Sequence, residues 1–346
     1  MDGNQDHITD ERSPRRGLAM NRRSGPHPTG ACNTMSGIHH VTAISGRASR
    51  NLEFYTRVLG LRFVKKTVNF DDPGTYHLYY GDEQGHPGTI LTFFPWEHAA
   101  AGRNGDGLTE ETAFRVPAAS MGYWTHRFIE HGVAHDALEK RFGDGVLAFT
   151  DPDGMKLALI GAADAGEPAW SAGIPAEHAI RGFHGVTLML AEGARTGAIL
   201  TDVLGFKETA REGAFTRYRS PDDVPGNTVT IRETGGFLPG CLGRGSVHHI
   251  AFRASDDAEQ AAMARKLVEA HRMHPTQQLD RQYFRSVYFR EPGGILFEIA
   301  TDQPGFAVDE PVATLGRDLK LPPFLEARRA EIEAALPPLA GVERAA

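Results

Sequence analysis

Three residues, His40, His249 and Glu298, have the types and the settings to do chemistry together. Each lies in a short run that alternates like a β-strand, where successive side chains point to opposite faces. In residues 37–44, Val41 and Ala43 share a face with His39, and the other face carries His40 and Thr42. In Ser246–Phe252, His249 and Ala251 share one face, while His248, Ile250 and Phe252 share the other. Near 298, Phe297 and Ile299 are apolar and Glu298 points the opposite way. If the apolar faces meet helices, two imidazoles and one carboxylate converge on a common concave face. A lone strand histidine is more often structural than ligating. A glutamate inside an apolar run is harder to dismiss, because an ionised carboxylate is rarely buried without a partner. Two His and one carboxylate with open positions suit non-haem Fe(II) handling O2 and substrate together, with Mn(II) as the other candidate.

Repeats show what must position these residues. Gly37-Ile38-His39-His40-Val41-Thr42 resembles Gly182-Phe183-His184-Gly185-Val186-Thr187, and Val58-Leu59-Gly60-Leu61 resembles Val203-Leu204-Gly205-Phe206 at the same spacing. Asp151-Pro152-Asp153-Gly154 is echoed by Glu291-Pro292-Gly293-Gly294. Two homologous halves follow, and each divides again into a unit of strand, helix and further strands. In the first unit, Ser49 is expected to cap a helix through Leu52, Tyr55, Val58 and Leu59, stopped by Gly60, with strands at Tyr76–Tyr80 and Thr89–Phe94. The fold class expected is α+β: four βαβββ modules in two homologous halves, forming cupped mixed sheets with helices outside. Residues 36–165 would carry modules 1 and 2, and residues 180–302 modules 3 and 4. A C-terminal clasp, 303–346, is expected to pack on the second half. Gly185 stands where His40 stands, and Ala158 where Glu298 stands, so one cup looks equipped and the other empty. Aligning Pro87 with Pro292 sets Phe93 opposite Glu298, so a fourth protein ligand, natural for a Zn or Ni site, is missing.

Composition narrows the classes. With 37 Lys and Arg against 44 Asp and Glu, the formal charge of −7 argues against non-specific nucleic-acid binding. No run of 18 apolar residues marks a membrane span. The two cysteines, Cys32 and Cys241, point away from a structural disulfide and towards a cytoplasmic setting. Residues 1–35 lack apolar periodicity and read as a disordered extension. His126, His131 and His135 are expected to be solvated and Trp124 and Trp170 to be packing residues, while His77 could line the cup.

Over residues 36–340 this pattern resembles the vicinal oxygen chelate superfamily of glyoxalases, extradiol ring-cleaving dioxygenases and antibiotic-binding proteins. Tyr288-Phe289-Arg290-Glu291-Pro292-Gly293-Gly294-Ile295-Leu296-Phe297-Glu298 is similar to the extradiol dioxygenase signature. Catechol-cleaving members carry a histidine a few residues before that tyrosine. Here Arg281 stands at the corresponding place, and the chain looks like the hydroquinone-type branch. The resemblance implies ring cleavage of a small aromatic substrate beside one hydroxyl, with iron held by modules 1 and 4 and O2 as co-substrate. It also implies supporting roles for His39, Thr42, His248, Arg281 and Tyr288, although alternation sets His39 and His248 behind the ligand face. Arg281, always charged, would stabilise anionic substrate or oxygen species, and Tyr288 would donate a hydrogen bond to them. A metal-dependent isomerase or lyase of the same fold, or a non-enzymatic aromatic-binding protein, is the alternative. A homo-oligomer is compatible with the sequence.

Overall fold

The computed structural model describes residues 36–163, 166 and 170–339. The expected extension, 1–35, lies outside the described residues, as do Cys32 and the last residues of the expected clasp. Four modules repeat the same order. Module 1 is β1 (Ile38–Ser45), α1 (Ala48–Glu53), β2 (Arg62–Asn69), β3 (Asp72–Gly81) and β4 (Ile90–Pro95). Module 2 is β5 (Leu108–Pro117), α2 (Met121–Glu130), β6 (Glu139–Arg141), β7 (Asp144–Thr150) and β8 (Lys156–Ala162). Module 3 is β9 (Phe183–Leu190), α3 (Ala194–Asp202), β10 (Lys207–Glu212), β11 (Phe215–Arg219) and β12 (Thr228–Glu233). Module 4 is β13 (Ser246–Ala254), α4 (Asp257–His271), β14 (Leu279–Asp280), β15 (Arg285–Arg290) and β16 (Leu296–Thr301).

Among the described residues the strands form two curled mixed sheets of eight, ordered β14-β15-β16-β13-β1-β4-β3-β2 and β10-β11-β12-β9-β5-β8-β7-β6, with helices outside. Modules 1 and 4 therefore make one cup, and modules 2 and 3 the other. Each sequence half supplies four strands to either sheet. At the centre of the first cup, β1 and β13 pair antiparallel. β1 is buried along its whole length, as expected of a strand covered on both faces. Its outward residues Val41 and Ala43 join the core beneath the helices with Leu52, Tyr55 and Phe93.

Three expectations change. Ser49 does not cap the first helix; Arg47 precedes it without a side-chain cap, and the helix runs into a π-turn over Phe54–Val58 before Gly60, at φ 69°, ends it. β2, masked in the sequence by Lys65 and Lys66, is a full edge strand. Lys65 is completely buried and its ammonium reaches Asp309 at 2.6 Å and Glu310 at 3.0 Å. These carboxylates belong to the C-terminal segment, which packs mainly on the first half rather than the second. Leu319 bridges Lys66, Tyr76 donates to the Pro337 carbonyl at 3.1 Å, and Leu321, Leu325, Ile332 and Leu336 enter the core. The physical reason is the exposed edge at β2, which a covering segment protects. At its start the same segment holds module 4, where the Tyr283 hydroxyl donates to Asp309 at 3.0 Å.

Candidate metal centre

The floor of the first cup brings His40 (β1), His249 (β13) and Glu298 (β16) together. Their Nε2, Nε2 and Oε2 atoms lie 3.1–3.4 Å apart, and all three side chains are buried. Three donors at right angles around a metal, with bonds of about 2.1 Å, would be separated by about 3 Å. The arrangement is therefore the size of one face of a coordination octahedron. Its chemistry fits as well. Glu298 Oε2 is buried and receives no hydrogen bond. Ser286 Oγ donates to Glu298 Oε1, which leaves Oε2 as the oxygen turned to the histidines. Burial pushes the Glu298 pKa up, but His40 and His249 outweigh it and hold the carboxyl well below its usual range. Burial lowers the pKa of His249. Neutral imidazole and ionised carboxylate are the forms a metal needs.

Each histidine of the cluster is held by its neighbour in sequence. His39 Nδ1 lies 3.0 Å from His40 Nδ1, and His248 Nδ1 lies 2.8 Å from His249 Nδ1. A proton on the ligand Nδ1 donated to its neighbour leaves Nε2 a bare lone pair. Two such lone pairs and a carboxylate oxygen within 3.4 Å would repel one another, and a cation between them removes that repulsion. Strict alternation had put His39 and His248 behind the ligand face, and that expectation is corrected. Between Ile38 and His40, β1 advances two residues while β13 advances one, leaving His39 without a partner. Between Thr42 and Ala43 the reverse happens, and His248 is the unpaired residue. Each is the extra residue of a β-bulge, and bulges re-aim side chains. His39 packs its ring on Phe284 at 5.2 Å, and burial, then His40, keeps its pKa well below the ordinary value. His248 lines the cavity beside the ligands, and burial, then His249, lowers its pKa to about 4.

That cavity, of about 410 Å³, has His40 and His249 at its floor and Phe70, Phe94, Trp96, Phe284 and Leu296 among its walls. Arg281 and Tyr288 both line it, with the guanidinium carbon 5.5 Å from the Tyr288 ring centroid. Burial, then Glu298, raises the Tyr288 pKa, so its phenol stays protonated and able to donate at neutral pH. Thr42 does not line the cavity directly. Its Oγ1 accepts from Thr92 at 2.8 Å, and Thr92 Oγ1 is 2.7 Å from His77 Nε2, which does line it. The parallel registers pair Thr42 with Thr92 and Ala251 with Glu298. Thr92, not Phe93, is thus the counterpart of Glu298. Phe93 faces the core, because the run from the turn proline to this strand position is one residue shorter after Pro87 than after Pro292. The conclusion drawn from Phe93 survives the correction, since a threonine hydroxyl is no substitute for a carboxylate ligand. Sequence reasoning missed Ser286 and Thr92; alternation from Tyr288 would have found Ser286 on the face beside Glu298. His126 and His131 are exposed and Trp124 is buried, as expected.

The profile of the Glyoxalase/Bleomycin resistance protein/Dioxygenase superfamily matches residues 37–159 and 182–299. The chain is 45% identical over 303 residues to a Bacillus subtilis (strain 168) protein named "Putative ring-cleaving dioxygenase MhqO", covering 87% of this chain and 96% of the relative. It is 33% identical over 305 residues to the chlorohydroquinone/hydroquinone 1,2-dioxygenase of Sphingobium indicum, covering 86% and 95%. A crystal structure described as a "putative dioxygenase" from Bacillus subtilis subsp. subtilis str. 168 superposes with a TM-score of 0.84 at 45% identity, covering 89% of this chain and 98% of that one. Four modules, two cups and near full-length relatives agree: this chain belongs to the glyoxalase/bleomycin resistance protein/dioxygenase superfamily.

Proposed function

We propose that this chain is an Fe(II)-dependent dioxygenase that cleaves a hydroquinone-type ring beside one hydroxyl, with His40, His249 and Glu298 as the iron ligands. The observation that carries the reading is the buried cluster of three ligand atoms with an unsatisfied Glu298 Oε2. The relative named as a chlorohydroquinone/hydroquinone 1,2-dioxygenase supports the reaction class and the substrate class. Iron, when bound, supplies open coordination positions and the electron exchange that lets O2 react with a ring. Mn(II) suits the same ligand set.

The chain's own residues do the rest. Phe70, Phe94, Trp96, Phe284 and Leu296 enclose a flat apolar ring and exclude water. His39 and His248 fix the orientation of the ligand imidazoles through their Nδ1 atoms. Arg281 offers a permanent positive charge to the anionic substrate and oxygen species, and Tyr288 offers a hydrogen-bond donor to the same oxygens. A catechol chelates with two oxygens and must lose two protons, which favours a proton-accepting histidine nearby. A hydroquinone presents one hydroxyl, and an arginine that cannot act as a neutral base suits it better. A Lewis-acid isomerase is disfavoured by Thr92 at the fourth-ligand position. The test is O2 uptake by anaerobically purified protein with hydroquinone and with catechol. Hydroquinone should be consumed preferentially, with loss of turnover when O2 is removed. A clear catechol preference, or turnover that ignores O2, would overturn the reading.

A further inference from the structure

Arg281 and its partner Asp71 come from opposite ends of the first sheet. Asp71 sits in the turn between β2 and β3, at one edge, and Arg281 follows β14, at the other. The Arg281 Nη2–Asp71 Oδ2 distance is 3.1 Å, and both residues line the cavity. The sheet curls far enough for its two edges to be joined across the opening by this pair. Asp71 is the only carboxylate within ion-pair distance of Arg281 among the described residues.

Both backbones are fixed around the pair. Asp71 N donates to Asn69 Oδ1 at 3.1 Å, an Asx-type turn at the hairpin tip. On the other side, Arg281 N donates to the Phe284 carbonyl at 3.0 Å, and Gln282, at φ 70°, donates its N–H to Asp280 Oδ1 at 2.8 Å. The backbone beneath Arg281 is therefore rigid, but its long side chain is not. An arginine side chain has many rotamers to lose when it is held in one place. Tyr288 offers it a ring face on one side, and Asp71 draws the guanidinium from the other.

We propose that Asp71 is a positioning residue: it holds the Arg281 guanidinium over Tyr288, across the cavity opening, so that the charge is already in place when substrate arrives. The inference rests on the proposed dioxygenase reading for its kinetic consequence, but its structural consequence is independent. Asp71 is largely exposed, so the pair is screened by salt and modest in strength.

The test uses the metal-loaded full chain with hydroquinone as probe. Asp71→Asn should lower kcat about fivefold with KM changed less than twofold, because the charge acts on the reacting species rather than on binding. Asp71→Glu should recover most of the loss. Added NaCl should lower the wild-type kcat towards that of the Asn variant, and should leave the Asn variant nearly unaffected. Crystal structures of the wild type and Asp71→Asn supply the second readout. The guanidinium should sit over Tyr288 in the first and leave it in the second. Wild-type kcat in the Asn variant, or a guanidinium that stays over Tyr288 without Asp71, would overturn the proposal. If the wild type consumes no O2 with hydroquinone, the dioxygenase reading fails, and the two crystal structures still decide whether Asp71 positions Arg281.

Discussion

The two cups share one plan and differ at a few positions. In the first, β1 and β13 carry His40 and His249, and β16 carries Glu298 beside them. In the second, the matching registers put Gly185, Glu111 and Ala158 at the three positions. Even the bulges recur: His184 and Glu110 are the unpaired residues where His39 and His248 stand in the first cup. The repeats identify two of the three replacements, Gly185 and Ala158, and on those two the second cup is expected to be empty. The structure supplies the third: the counterpart of His249 is the ionisable Glu111, tied at 2.7 Å to Arg141. Arg217 reaches Asp144 at 2.9 Å nearby and lies 4.1 Å from the Phe142 ring centroid. The second cup thus carries ion pairs where the first gathers its ligand-type atoms, and a cavity of about 330 Å³ lies beside them. Gly185 goes further, since a Cβ there would fall 2.0 Å from the Thr228 carbonyl oxygen. No side chain fits without moving backbone. A repeated scaffold can keep its sheets and bulges while one cup gathers three ligand-type side chains and its twin an ion pair.

Substitutions in either cup should show this division. Arg281→Ala should reduce hydroquinone turnover by roughly two to three orders of magnitude, as for loss of one preorganised electrostatic donor, while metal content stays near normal. Steady-state O2 uptake with parallel metal analysis checks both halves of that statement. His39→Ala and His248→Ala should each weaken metal affinity by about 10–100-fold, measured by competition with a chelator, because the ligand imidazole loses its Nδ1 partner. Unchanged affinity in both would mean that the paired histidines are accidental neighbours. In the second cup the effects should fall on stability instead. Gly185→Ala should cost about 1–3 kcal/mol in urea unfolding, the usual range for overpacking against fixed backbone, with the metal stoichiometry unaltered. Arg141→Ala, which strands the mostly buried Glu111, should cost about 1 kcal/mol and leave turnover as it was. A fall in metal content in either variant would show that the cups are coupled.

The cluster of His40, His249 and Glu298 was legible because each member breaks an apolar strand pattern, and such breaks are rare without a reason. The module order was legible because Val58-Leu59-Gly60-Leu61 and Val203-Leu204-Gly205-Phe206 punctuate both halves alike. Alternation failed at His39 and His248, since a bulge changes the face of a residue and is set by pairing between strands far apart in sequence. β2 was hidden because Lys65 reads as solvated until the carboxylates of Asp309 and Glu310 are seen beside it. Asp71 was invisible for the same reason: its role exists only once the two edges of the sheet come together.

Metal content per chain, measured on anaerobically purified wild type and Glu298→Ala, tests the central claim most directly. The account predicts about one Fe(II) per chain in the wild type and little in the variant. Two metals per chain, or full occupancy in Glu298→Ala, would contradict it.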